Sequence, residues 1–569
     1  MAPPSPNSSF LRKLDSSWQL VVDGSPYLIL GAELQNSSMS SARYMETVWQ
    51  EIVDMGVNTV LGAVAWEDVE TEEGVFDFEE FDAVLAGARK YNVRLIITWF
   101  GAFKNGMSCY TPSWVKKDDT RFPRMLLGKG DHQTTSNVIS IFENTCSEAD
   151  AKAFAAFMSH LKEADAPRTV ILVQVQNEVG LLGDSRDRSN KATELFKASV
   201  PAKLANFIYN DWESLLPDLQ NNAAIFKTRF EKFSKQSQFG SWDEMFGESV
   251  YTDELFMAYH YSLFVEKVAA AGRKAYDIPL FTNTWLPKPG TAVGGNVAAG
   301  GSLPGEYPSG GPVSNVMDVW QKFCPTLDFL SPDIYTSDYS ATCEIYLHRQ
   351  QALFIPEQRR DEYGARRVWQ AVGKFNALGA SPFGVDTLKA KHCAYTRHYR
   401  LLRSVSRIIL KAQAKPDTIL GFFFDEIESS GTDPTPPIVK RFTNYDLTIS
   451  RAFVLGKPGP GYGIVIELEP EKFLLVGCGF KVEWKSVSPT SLYTGIVRFL
   501  EKSVVNEADG TLRTERKLNG DETRSGMWAN MPDAVPDCGD TVIPICIPAR
   551  TMIAEATVYS LDKKCDRII

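Results

Sequence analysis

Two apolar runs in this chain each stop abruptly at a glutamate. Residues 170–180 read VILVQVQNEVG. The first part is apolar and rich in β-branched side chains, the composition of a buried parallel strand, and it breaks at Gln176-Asn177-Glu178. Residues 351–357, QALFIPE, have the same form and stop at Pro356-Glu357, just before a helix-like run over 361–375. Two strand-terminal glutamates, Glu178 and Glu357, predict a pair of catalytic carboxylates. Either one alone reads as readily as a helix cap or a surface ion-pair partner, so the pair carries the expectation.

The elements that must position this pair follow in a regular order. Residues 18–23 and 27–34 flank Gly24-Ser25-Pro26, a turn signal, so the chain opens as a hairpin-like pair. Starting from Tyr27, eight strands are expected, at 27–34, 57–66, 93–100, 170–177, 279–285, 327–335, 351–356 and 380–385. Helix-like runs separate nearly all of them. Eight β/α repeats predict an α/β fold, a (β/α)8 TIM barrel over 27–414, with residues 1–26 as an N-terminal tail and strand. A helix-rich excursion over 189–276 interrupts the alternation. Beyond about Lys415 short β-rich runs separated by Gly, Pro and Asp/Asn turns predict a smaller β-sandwich-like domain over 415–569. Residues 421–428, GFFFDEIE, could belong to either unit.

Barrel sites are built at the C-terminal ends of the strands. Those ends here carry Glu33, Asn36, Trp66, Glu67, Trp99, Asn177, Glu178, Trp285, Asp333, Tyr335, Glu357 and Asp386. Carboxylates, amides and aromatics suit a neutral polyhydroxylated ligand, since aromatic faces stack on the C–H surfaces of a sugar while the polar groups bind its hydroxyls. Trp66, Trp99 and Trp285 form either an aromatic platform or barrel core. Glu33, Glu67 and Asp333 read as hydroxyl ligands rather than catalysts, and Asp386 as a ligand or a cap of the last helix. The glycine-rich stretch 290–311 follows the fifth strand and is expected at the rim, as a mobile lid.

Composition excludes other classes. The net charge of −10 comes with no long Lys/Arg run, which argues against a nucleic-acid partner. No apolar run reaches the ~18 residues of a membrane span, and the first residues hold no signal-peptide core, so an intracellular, cytoplasmic protein without membrane contact is expected. The nine cysteines are scattered without a CxxC pair, as reduced structural thiols would be. The six histidines form no HExxH or other ligand cluster, and no Walker or dinucleotide fingerprint occurs, so chemistry without a metal or cofactor is expected. Assembly as a homo-oligomer stays open at this stage.

The motifs also carry a resemblance. VQVQNEVG resembles the Q-V-E-N-E-Y-G stretch of family 35 glycoside hydrolases, members of clan A, with Gln176 where Glu is common and Val179 where Tyr is common. Residues 66–78, WEDVETEEGVFDF, look like the W-x-x-x-E-P-x-E-G-x-F-D-F segment after the second barrel strand of that clan, with Thr71 in place of Pro. Residues 355–386 are similar to the nucleophile region of a branch that carries a C-terminal β-domain and includes β-galactosidases. The resemblance implies a retaining exo-β-glycosidase, first of all a β-galactosidase that hydrolyses terminal non-reducing β-galactosyl residues of a small oligosaccharide or glycoside, with Glu357 as nucleophile and Glu178 as acid/base. It also implies that Asn177 binds the sugar 2-hydroxyl; Tyr335, ending the sixth strand, is a candidate donor to Glu357. Other glycones (glucose, glucosamine, fucose, arabinose) and a catalytically silent carbohydrate-binding barrel are the competing expectations.

Overall fold

The computed structural model describes residues 9–128, 130–235, 238–288, 300–452, 458–534 and 546–563, so much of the expected lid, at 290–299, lies outside the described residues. Eight parallel strands form one sheet: β1 Ile29–Glu33, β2 Thr59–Ala65, β3 Arg94–Lys104, β4 Val170–Asn177, β5 Leu280–Trp285, β6 Phe329–Asp333, β7 Ile355–Gln358 and β8 Gly379–Pro382. Each strand lies beside its sequence neighbour, with β8 returning to β1. The remaining gap is closed by a parallel bridge between Ile334 and Gln358, where the Ile334 N–H donates to the Glu357 carbonyl at 2.9 Å. The sheet is therefore a closed TIM barrel, with no free edge among its eight strands.

Sequence patterning explains the floor. Phe10–Lys13, Trp18–Val22 and Ser25–Tyr27 make a small antiparallel sheet, turned at Asp23 and Gly24, both with positive φ (49° and 73°). Leu20 and Val22 from this sheet pack on Ile29, Leu61, Ile96, Leu172, Phe281 and Phe329, and so plug the bottom of the barrel. The expected strand 27–34 is thus divided at Leu28, one part serving the floor and the other the barrel. At the opposite end β3 runs to Lys104, four residues past expectation. Its pairing with β4 passes from Trp99↔Val175 directly to Lys104↔Asn177, a bulge that re-aims the strand end. Gly101 lies in that bulge, and a Cβ there would sit 2.5 Å from both the Trp99 indole nitrogen and the Asp150 carboxylate.

Among the described residues six α-helices and one 3-10 turn, Trp212–Ser214, lie between Asn190 and Ala275 and separate β4 from β5, the longest being Val250–Ala275. Helix Glu362–Lys374 follows β7 and helix Tyr395–Gln413 follows β8. Beyond them come two antiparallel sheets. The six-stranded one contains Ile419–Phe424, Gly461–Glu469 and Lys472–Cys478; the four-stranded one contains Tyr445–Arg451 and Phe480–Ser486. Val465, Phe473 and Leu475 face the core between the sheets, while Ile464, Ile466, Leu474 and Val476 join the barrel's own core. Period-two alternation thus buries the strands Gly461–Glu469 and Lys472–Cys478 on both faces. Residues 421–424 complete its edge strand and touch both units, since Gly421 lies against Gly373 of the barrel helix. The seven described cysteines are all unpaired. No helix among the described residues is long and apolar enough to cross a membrane.

Candidate active site

Glu178 and Glu357 meet at the open mouth of the barrel. One carboxylate oxygen from each, and one from Asp333, all lie within 4.8 Å of one another, and all three residues are buried. Glu357 sits within β7 rather than after it. Its Oε2 accepts the Tyr335 hydroxyl at 2.8 Å, and its Oε1 accepts amide N–H groups from Asn283 at 3.1 Å and Asn177 at 3.3 Å. Three donors converging on one carboxylate stabilise a negative charge there.

Glu178 is delivered by a strained turn. Gln176 and Glu178 both have positive φ, 63° and 45°, a conformation that costs a non-glycine residue on the order of 1–3 kcal/mol. Side chains hold the turn in place. The Glu178 N–H donates to Asn283 Oδ1 at 2.9 Å, and Gln176 reaches outward, donating to Asp150 at 2.6 Å and accepting from the Phe103 N–H at 2.9 Å. Gly180 ends the segment, because a Cβ there would meet the Pro308 backbone at 2.5 Å.

Electrostatics separate the carboxyls. Burial lifts Glu178 above the ordinary carboxylate range, the Glu357 charge adds to the lift, and Lys104 opposes it. Asp333 and Glu33 are raised well above theirs, again by burial first and then by repulsion from Glu357. The same two causes raise the Tyr335 phenol, which keeps it a donor. Burial therefore favours protonated Glu178 near pH 7, beside the Glu357 carboxylate that accepts three hydrogen bonds. The three clustered carboxyls could hold a cation by distance alone. Both oxygens of Glu357 already accept N–H or O–H groups, and the Lys104 ammonium stands behind Asn177. That donor set matches proton transfer better than cation binding.

The mouth holds a pocket of about 280 Å³. Of the residues expected to bind substrate, Asn36, Trp285, Asp333 and Tyr335 line it beside Glu178 and Glu357. Asn177 and Glu33 stand just behind this lining, at the carboxylates. Four residues of the expected set lie away from this lining. Trp66 is fully buried, donates to Glu70 at 2.7 Å and packs edge-on to Trp114; it is core. Trp99 points outward from the barrel, donating to Asp150 at 2.8 Å and packing on Phe154 and Phe157. Glu67 opens the short helix Trp66–Val69, where it is partly exposed and paired with Lys116. Asp386 accepts the Gln35 N–H at 3.1 Å and the Ser38 hydroxyl at 2.5 Å, tying together the loops after β1 and β8; it caps no helix of the last repeat. Missing from the expected set were Asn283, Lys104, Asn105, Leu286, Thr336, Ser337 and Phe383. Asn283 had a legible signal, an amide inside the otherwise apolar and hydroxyl strand LFTNTW.

Comparisons with known proteins show what parts of the chain are similar to. Residues 38–217, which include β2 to β4 and Glu178, match a family model described as beta-galactosidase (Glyco_hydro_42). Residues 395–530, from the last barrel helix into the sandwich, match a domain of unknown function (DUF5597). The matched part of the barrel is thus similar to a glycoside-hydrolase family. A comparison with curated protein sequences gives no significant match. Among solved structures, a beta-galactosidase from Bacillus circulans sp. alkalophilus aligns at 14% identity and TM-score 0.41, over 68% of this chain and 57% of that one. The catalytic domain of a beta-amylase from Paenibacillus polymyxa aligns at 13% and 0.43, over 68% of this chain and 98% of that one. A beta-galactosidase from the psychrophilic Marinomonas ef1 aligns at 13% and 0.41, over 68% and 61%. The chain thus spans less than two thirds of the length of either beta-galactosidase.

Proposed function

We propose that this protein is a retaining exo-β-glycosidase of the family 35 kind, with a terminal β-galactosyl residue as the preferred glycone. The observation that carries the reading is that one carboxylate oxygen of Glu178 lies within 4.8 Å of one of Glu357, an approach that fits the ~5–5.5 Å carboxyl separation of retaining enzymes better than the ~6.5–9.5 Å of inverting ones. Glu357, held by Tyr335, Asn177 and Asn283, attacks the anomeric carbon. Glu178, kept protonated by burial and by the charge of Glu357, gives its proton to the leaving oxygen. Once Glu357 is esterified its charge is gone and the lift on Glu178 weakens. Glu178, already a carboxylate after protonating the leaving oxygen, then takes a proton from the water that attacks the anomeric carbon and releases the sugar, which restores protonated Glu178 and free Glu357.

The pocket favours one sugar unit. Its volume of about 280 Å³ lies just below the ~300–1,000 Å³ of drug-sized ligand sites. Glu33 Oε2, Asn105 Oδ1 and Trp285 Nε1 are buried around it without protein partners, groups that ring hydroxyls would satisfy. Galactose rests on the family model matched at 38–217 and on the resemblance of 355–386. The test is hydrolysis of a panel of aryl β-glycosides by the wild type and by Glu357→Ala, with and without azide. Cleavage of the galactoside, lost in the variant and restored as an α-galactosyl azide, is the expected result. Cleavage of another glycoside alone would replace the glycone; cleavage of none would favour a silent carbohydrate-binding barrel.

A further inference from the structure

We infer that Lys104 is a positioning residue that fixes the amide of Asn177, turning its NH2 group toward Glu357 and toward the 2-hydroxyl of the bound sugar. This rests on the proposed glycosidase reading and adds a residue that neither the motifs nor the strand-end logic supplied. Lys104 is the last residue of β3 and reaches the site through the bulge after Trp99. It is only 6% exposed, its Nζ lies 2.9 Å from Asn177 Oδ1, and the ammonium stands 5.0 Å from the centre of the Phe100 ring.

The argument turns on the two ends of one amide. An ammonium has three donors and no acceptor, so the atom facing it must be the carbonyl oxygen. The opposite end is then Nδ2, which meets Glu357 Oε1 at 3.3 Å. Flipping the amide would set N–H against ammonium and carbonyl against carboxylate, two repulsive contacts in place of two hydrogen bonds. Asn177 Nδ2 carries two hydrogens: one serves Glu357, the other stays available at the mouth. A sugar 2-hydroxyl bound there gains most as charge develops at the anomeric carbon, so misorienting the amide raises the barrier more than it weakens ground-state binding.

Charge supports the same assignment. Among the described residues lining the pocket Lys104 is the one cation, and Glu178 and Glu357 line it too. Glu33 in β1, Tyr110 in the loop after β3 and Glu178 after β4 feel the Lys104 charge, and Asp333 at the end of β6, Tyr335 just beyond it and Glu357 in β7 line the same pocket. Lys104 opposes the upward shift of Glu178, Glu33 and Tyr110. Activity requires protonated Glu178 and is lost as pH rises through its pKa. Removing the positive charge raises that pKa, so the alkaline limb must move to higher pH.

The experiment compares wild type, Lys104→Met, Asn177→Ala and the double variant on whichever aryl β-glycoside the wild type cleaves and on its 2-deoxy counterpart. Melting temperatures and Lys104→Arg guard against misfolding. Expected is a ~10–100-fold loss of kcat by Lys104→Met on the 2-hydroxy substrate, little loss on the 2-deoxy one, and partial recovery with Lys104→Arg. The double variant should lose no more than Asn177→Ala alone, and the alkaline limb of kcat/KM should rise in Lys104→Met. Equal losses on both substrates, additive losses in the double variant, or an unmoved alkaline limb would overturn the inference while leaving the glycosidase reading intact. A wild type that cleaves no glycoside, or a Glu357→Ala variant that keeps full activity, would instead remove the reading beneath it.

Discussion

Asn283 shows how much one side chain can hold. Its oxygen accepts the Glu178 N–H and the Gln174 amide, and its nitrogen donates to Asp333 at 2.8 Å and to Glu357 at 3.1 Å. Asn283→Ala strands several buried groups at once. It is expected to lower stability by roughly 2–3 kcal/mol in urea unfolding, and to slow turnover more than it raises KM; unchanged turnover would deny it a part in holding the carboxylates. Glu33 behaves differently. Burial, and then the charge of Glu357, raise its pKa in the folded state. A raised carboxyl contributes stability that is fully present below its unfolded pKa of about 4.3 and is lost as pH rises through the folded value. The wild type should therefore melt at a lower temperature at pH 8 than at pH 5, and Glu33→Gln should fall less over the same interval. Parallel falls in thermal melts at the two pH values would show that Glu33 is not a main contributor.

The elements explain which of these residues could be read in advance. The β/α alternation was legible because buried parallel strands are almost wholly apolar and their helices amphipathic, and the terminal polar residues of β4 and β7 marked the mouth. Three physical effects hid the rest. Side chains alternate across a strand, so Trp66 and Trp99 lie near strand ends yet point into the helical layer. Asn283 lies two residues before its strand ends at Trp285, away from the terminal position that marks a mouth residue. The bulge in β3 carries the strand past Gly101, beyond the end of the apolar run Val93–Phe100, and so brings Lys104 to the mouth. Gln176 marks the cost of departing from local pattern. It stands where family 35 commonly has Glu, and the structure supplies a reason: its amide donates to Asp150, a fully buried carboxyl already pushed up to about 6. Gln176→Glu would set two carboxyls together. At pH 8 it should destabilise by roughly 3–5 kcal/mol, the cost of an uncompensated buried charge. At pH 5 the loss should be smaller, since Asp150 can carry the proton that bridges the pair. Equal losses in urea unfolding at both pH values would point to packing instead.

At the scale of the molecule the sandwich and the barrel share a core through the helix that follows the proposed nucleophile. Helix Glu362–Lys374 leaves β7 five residues after Glu357 and is covered by the six-stranded sheet. Arg367 lies between the rings of Tyr363 and Phe423 and donates to both oxygens of Asp425, at 3.0 and 2.7 Å; Arg366 spans Asp425 and Glu426. Gly421 admits the closest approach, since a Cβ there would stand 1.9 Å from the Trp369 carbonyl oxygen. An interface that buries charged pairs and apolar residues of both units unfolds as one with them. The wild type should show a single calorimetric transition, coincident with loss of glycosidase activity. Gly421→Ala must push the sheet off the helix or bend the helix itself, which is expected to cost roughly 1–3 kcal/mol as overpacking does. Its melting temperature should fall by several degrees and its activity should be lost at that lower temperature, although the substitution lies behind the barrel and away from the pocket. Two separate transitions in the wild type, with activity following only one, would mean that the sheet rests on the barrel without supporting the strand that carries Glu357.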